Sequence, residues 1–198
     1  MKTYSGYTAE TSKNLLLDAG AFFVNFDIDV DSFDTAVTAG KLLGATRGGG
    51  SFSAVPEFRS IEVDGVKGKA KGLQVIDSWE VKMSSNVLEI TRESLANALA
   101  SSELDTDTNL EYDIINAKNR VELTDYIDNI TYVGTRSGSA DPVIIQIYNV
   151  LNKIGLTLET ADKGESVVAM EFEGHYDDSD LERPPFSIFY PKEPVTLP

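Results

Sequence analysis

From Phe22 to Val30 the chain alternates with a period of two. Phe22, Val24, Phe26, Ile28 and Val30 fall on one side; Phe23, Asn25, Asp27 and Asp29 fall on the other, and Asp31 extends that second row. Such alternation does not fit the 3.6-residue helical stripe and predicts a strand with one buried and one wet face. Strands of parallel sheets are covered on both sides and read as unbroken apolar runs, so the pattern argues for an antiparallel sheet. Asp27, Asp29 and Asp31 then form the best-ordered acidic row in the chain. Glu171, Glu173 and His175, in Ser166–Tyr176, form a second one.

The remaining punctuation is that of a β protein with a single helix. Residues 1–20 read as an N-terminal arm with a short apolar cluster at Leu15–Leu17, and 21–176 as one domain. From Asp31 to Phe58 the alternation fails and Gly40, Gly44 and Gly48–Gly50 mark a long connection. Asp64-Gly65, between Phe58–Val63 and Val66–Lys71, predicts a hairpin on a type I′ turn, so 31–72 holds a long loop and a hairpin. Leu73–Met83 is a strand bearing Trp79 and interrupted by Asp77; Ser84–Asn86 then turns the chain into Val87–Ile90. Thr91 is placed to N-cap a helix over Arg92–Ser101, with Leu95, Ala98 and Leu99 on its apolar face. Leu110–Asn116, Ile130–Thr135 and Val143–Val150 are strand candidates, and Leu156–Thr160 pairs with Ser166–Tyr176 across Asp162–Gly164. The proline-bearing segment 177–198 reads as an extended tail. The expected fold is mainly β: an antiparallel sandwich or barrel with one flanking α-helix, a long hairpin loop and two arms.

Charge narrows the function. A net charge of −15 opposes nucleic-acid binding by phosphate neutralisation. It suits either a solubilising surface or one that repels DNA. The charge is uneven. Lys41, Arg47, Arg59, Lys67, Lys69 and Lys71 outnumber the acids between 41 and 71, while 103–128 and 159–182 are strongly acidic. A basic hairpin on an acidic body suggests self-association through complementary patches, or Lys keeping strand edges unpaired. Phe52 and Phe58, set within the glycine-rich connection, join those cations as candidate subunit contacts.

The chemistry of an enzyme is missing. With no cysteine and one histidine, His175, thiol catalysis and multi-histidine metal sites have no residues to use. The acids at Asp27–Asp34 and Asp105–Asn109 lack the Gly and Glu that an EF-hand loop requires. Gly44–Ser51 imitates a phosphate loop but has Gly50 where the lysine belongs. No cofactor is expected. No apolar run reaches membrane-spanning length, and Met1–Gly6 lacks the apolar core of a signal peptide.

Four segments in order carry a resemblance. They are G-A-T-R-G-G-G-S-F (Gly44–Phe52), V-P-E-F-R-S-I-E-V-D-G-V (Val55–Val66), G-L-Q-V-I-D-S-W-E-V-K-M (Gly72–Met83) and V-L-E-I-T-R-E-S-L-A-N-A-L (Val87–Leu99). Together with S-V-V-A-M-E-F-E-G-H-Y-D (Ser166–Asp177) and F-S-I-F-Y-P (Phe186–Pro191), the series resembles the major tail tube proteins of long-tailed, siphovirus-like bacteriophages. The resemblance implies a structural virion protein, assembled in the bacterial cytoplasm as stacked, six-membered rings around a tape-measure protein. Tail terminator and distal tail proteins are its implied partners, and DNA passes through without specific binding. On this reading Asp27, Asp29, Asp31, Glu171 and Glu173 face the bore. Tubes of contractile tails, tailocins and type VI-like systems share the pattern. An unrelated acidic β-sandwich for adhesion or ligand binding is the alternative of another class.

Overall fold

The computed structural model describes residues 5–158, 160 and 162–192. Nine strands are found among them: β1 (Leu16–Val24), β2 (Thr46–Ser60), β3 (Gln74–Val87), β4 (Ser102–Asp105), β5 (Ile114–Ala117), β6 (Ile127–Arg136), β7 (Val143–Asn152), β8 (Val168–Gly174) and β9 (Phe186–Phe189). Two α-helices accompany them, α1 (Phe33–Thr38) and α2 (Arg92–Ala98). The main sheet runs β1-β6-β7-β8-β3-β2, with β9 also paired to β7; every pairing is antiparallel. It curls into a half-barrel, the expected mainly-β antiparallel architecture, with α2 as the expected flanking helix and the six-residue α1 as an addition to it. β4 and β5 form a separate two-stranded ribbon.

Inside the curl lies the larger core: Phe22, Val81, Met83, Val87, Ile130, Ile147, Val150, Val168, Met170 and Phe172. On β3 and β8 these residues recur at every second position, the period that puts one face of a strand inward. Each such side chain contributes roughly 1.5–3 kcal/mol relative to exposure. Helix α2 closes one end through Ala98, whose carbonyl accepts a hydrogen bond from Asn152 Nδ2 at 2.7 Å. Its start is the anticipated one. Ser94 N–H donates to Thr91 Oγ1 at 3.0 Å, and Thr91 N–H donates to Ser94 Oγ at 2.9 Å. Such a reciprocal cap is worth about 1 kcal/mol. The helix stops at Ala98, short of the expected Ser101.

The opening strand differs from its sequence pattern. It begins at Leu16, inside the expected arm, and ends at Val24 instead of Val30. Asn25 takes φ 53°, and the following aspartates build a turn: Asp31 Oδ2 accepts Asp27 N–H at 2.8 Å and Asp27 Oδ1 accepts Asp29 N–H at 3.0 Å. Short acidic side chains thus offer the backbone partners that compete with a ladder. The second row is not uniformly wet either: Asn25, Asp27 and Asp29 are exposed, but Phe23 is not. Phe23, fully buried, joins Phe26 and Ala36 in a second cluster under α1, a helix capped by Ser32 and Thr35.

The expected connection from Asp31 to Phe58 is largely structured, by α1 and by a 15-residue strand, β2, that includes Gly48–Gly50. A Cβ on Gly50 would lie 2.1 Å from the Ser84 carbonyl oxygen and 2.4 Å from the Phe22 ring, so glycine is there for close approach. β3 continues through Ser84–Asn86, which form no turn. Asp77 is the extra residue of a β-bulge: Glu57 pairs with Ser78 and Phe58 with Ile76. The tail is not simply extended, because Phe186–Phe189 returns as β9; the six residues of the expected tail from 193 to 198 lie outside the described residues. Partner exchange along β7, from β9 to β8, falls at Asn149, whose φ is 51°.

Candidate subunit-contact surfaces

Beyond the core, β2 and β3 continue as a spur. β8 covers β3 only from Lys82 to Val87, so Gln74–Val81 has β2 as its one sheet neighbour. On β2, Phe52 and Ala54 pack against the core, and the same face continues to Pro56 and Phe58. Phe58 is 59% exposed, facing Ile76 across the ladder at 44%. Near its far end, at the base of the tip, Arg59 Nε grips both Asp77 carboxylate oxygens at 2.8 and 3.2 Å, which raises the guanidinium pKa.

The spur ends in residues 61–73, closed at their base by Ile61 N–H donating to the Leu73 carbonyl at 2.8 Å. Asp64-Gly65 does make a turn, with Val66 N–H on the Val63 carbonyl at 3.1 Å. Gly65 has φ 85°, but Asp64 is not among the residues of positive φ, so the turn is not the expected type I′, and no strands flank it. Lys67, Lys69 and Lys71 are exposed here, and none forms an ion pair among the described residues.

The candidate contacts therefore divide. Phe58, Arg59, Lys67, Lys69 and Lys71 share the spur. Lys41, Arg47 and Phe52 do not. Lys41 Nζ is 2.5 Å from Asp31 Oδ2, and Arg47 binds Glu165 at 2.7 Å. Those two cations hold the Asp31 and Glu165 carboxyls below their ordinary pKa. Phe52 is half-buried against Phe186, with ring centroids 5.9 Å apart, and is not an exposed anchor.

The two acidic rows divide likewise. Asp27, Asp29 and Asp31 occupy the turn before α1, so they do not line a strand face. Glu171 and Glu173 do share one face of β8, opposite Met170 and Phe172. Cations accompany them: Lys153 lies 3.7 Å from Glu173, and Lys82 has its pKa raised by Glu80 first and by Glu171 and Glu173 further.

A feature unseen in the sequence lies where the curl fails to close. β1 and β2, its two edges, approach without pairing and leave an apolar cleft of about 510 Å³ between them. Its walls include Leu16, Phe22, Phe52, Met83 and Tyr132, with Asp18 as the one charged group. Residues so distant in sequence carry no shared local signal. His175 is structural: Nδ1 hydrogen-bonds with the Asn149 carbonyl at 2.9 Å, and the ring stands edge-on to Tyr126. Among the described residues no cluster of three or more His, Asp or Glu side chains could hold a metal, and no helix is long and apolar enough to cross a membrane. No family model and no curated protein matches the chain.

Proposed function

We propose that this chain is the tube subunit of a non-contractile phage tail, polymerising as stacked, six-membered rings around a tape-measure protein and conducting DNA into the host. The spur carries this reading. A two-stranded hairpin in water is marginally stable at best, and this one holds apolar and cationic side chains away from its own core. Neighbouring copies would cover it. The outer edge of β2 adds a second reason for assembly, because strand pairing between copies satisfies unpaired N–H and C=O groups.

Glu171 and Glu173 on β8 are the proposed bore-facing acids. At physiological salt, charges repel with little screening within about 8 Å, which keeps a phosphate backbone off the wall. The apolar cleft between β1 and β2 is the observation that favours a ligand-binding β module instead. Electron microscopy of the purified, concentrated protein separates the two. Tubes of constant diameter support the tail reading; dispersed monomers at high concentration and moderate salt overturn it.

A further inference from the structure

We propose that the cleft between β1 and β2 is the receptor for the spur tip of a second copy of this chain, so that each subunit carries both halves of a head-to-tail contact. The inference rests on the tube reading and names its receiving site. Tip and cleft cannot meet within one molecule. The cleft lies at the Gly48–Phe52 end of β2 and the tip begins after Ser60, and eight residues of strand at ~3.4 Å each put about 27 Å between them.

The surfaces match in chemistry. The tip exposes Ile61, Val63 and Val66 beside Lys67, Lys69 and Lys71. The cleft offers an apolar lining and one carboxylate, Asp18, which makes no ion pair among the described residues. Apolar side chains and lysines on one side face apolar walls and an acid on the other. The receiving wall is preformed. The Tyr132 ring lies across Gly20 and Gly134 so closely that a Cβ on either would come within 2.3 or 2.4 Å of it. Two different surfaces joined in this way form a heterologous contact, which propagates along an axis instead of stopping at a dimer.

The chain has no cysteine, so single thiols report the contact without background. Ala19→Cys places one in the cleft lining, Val66→Cys one at the tip, and Leu110→Cys one on a fully exposed residue between β4 and β5. Each variant is checked for native circular dichroism, mixed in pairs at assembling concentration and treated with a short bismaleimide crosslinker. The expected result is at least tenfold more covalent dimer from A19C with V66C than from A19C with L110C. Equal yields, with tubes still visible by microscopy, overturn the docking and leave the tube reading standing. Protein that shows no self-association by sedimentation overturns both.

Discussion

β1 and β2 are the two edges of one sheet, yet their surroundings are opposite. β1 leads into a region packed on both sides: Phe22 enters the core inside the curl, and Phe23 enters the cluster beneath α1. The open side of β1 is also held, with Val24 N–H on the Lys41 carbonyl and Leu43 N–H on the Phe22 carbonyl, each at 2.8 Å. β2 runs the other way, out of the core, with a single neighbour and no cover for Phe58. The first edge belongs to the fold of the monomer. The second holds its ladder through β3 alone beyond Ala54, and on the proposed reading it is half of an interface.

The contrast can be broken most forcefully at Phe23. Phe23→Ala removes a fully buried ring and should lower unfolding free energy by about 3–5 kcal/mol in urea titrations. A loss below about 1 kcal/mol would mean that α1 covers nothing of consequence. Next comes Gly50→Ala, at the cleft wall where the Phe22 ring lies against the β2 backbone. The new methyl must displace Phe22 or the Ser84 carbonyl, at about 1–3 kcal/mol, read from the thermal midpoint. A neutral result would show the cleft wall to be soft.

The β4–β5 ribbon sharpens the comparison, because it too has two strands but is tied to the body. Asp125 is held by the Lys118 ammonium, by Glu122 N–H at 2.8 Å and by Ser101 Oγ at 2.8 Å, and its pKa is lowered to about 2, with Lys118 the largest cause. A carboxyl depressed on folding stabilises above its unfolded pKa, near 3.8, and that contribution disappears as pH falls through about 2. NMR shifts of Ser102–Ala117 should therefore stay native at pH 4 and move between pH 4 and 2, and Asp125→Asn should show the low-pH shifts at neutral pH. Unmoved shifts would mean that the ribbon is held elsewhere. The smallest effect on folding is expected at the spur. Replacing Lys67, Lys69 and Lys71 with Glu should change monomer stability by less than about 0.5 kcal/mol while suppressing sedimenting assemblies. Unaltered assembly would make these lysines plain edge protection.

Much of the fold was legible because its signals are local. Thr91 announced α2, Trp79 sat on its strand, and the break at Asp77 was a real irregularity, the bulge. Misreadings arose where two local forces competed or where a distant residue decided. The Phe22–Val30 alternation was genuine, but the Asp27–Asp31 turn took over its second half. Gly48–Gly50 looked like loop because the Phe22 ring that presses on Gly50 comes from another strand. Ser32 with Thr35 ahead of Ala36 was a usable helix signal, of the same capping form as Thr91 with Ser94. Of the candidate contact surface, the exposed, lysine-bearing tip was readable from charge. The cleft was not, since β1, β2, β3 and β6 all supply its walls.

The Asp77 bulge also sets a direction. From Phe58 to the turn at Gly65 the chain reaches at most about 25 Å, and one carboxylate–guanidinium grip stands at the pivot. The geometry is that of a lever. A tilt of about 5° there swings the far end by about 2 Å, roughly the margin between a hydrogen bond made and missed. In the proposed tube, where the tip would meet a neighbouring copy, that angle would feed into the twist from one subunit to the next, and the Arg59–Asp77 pair is the side-chain contact placed to set it.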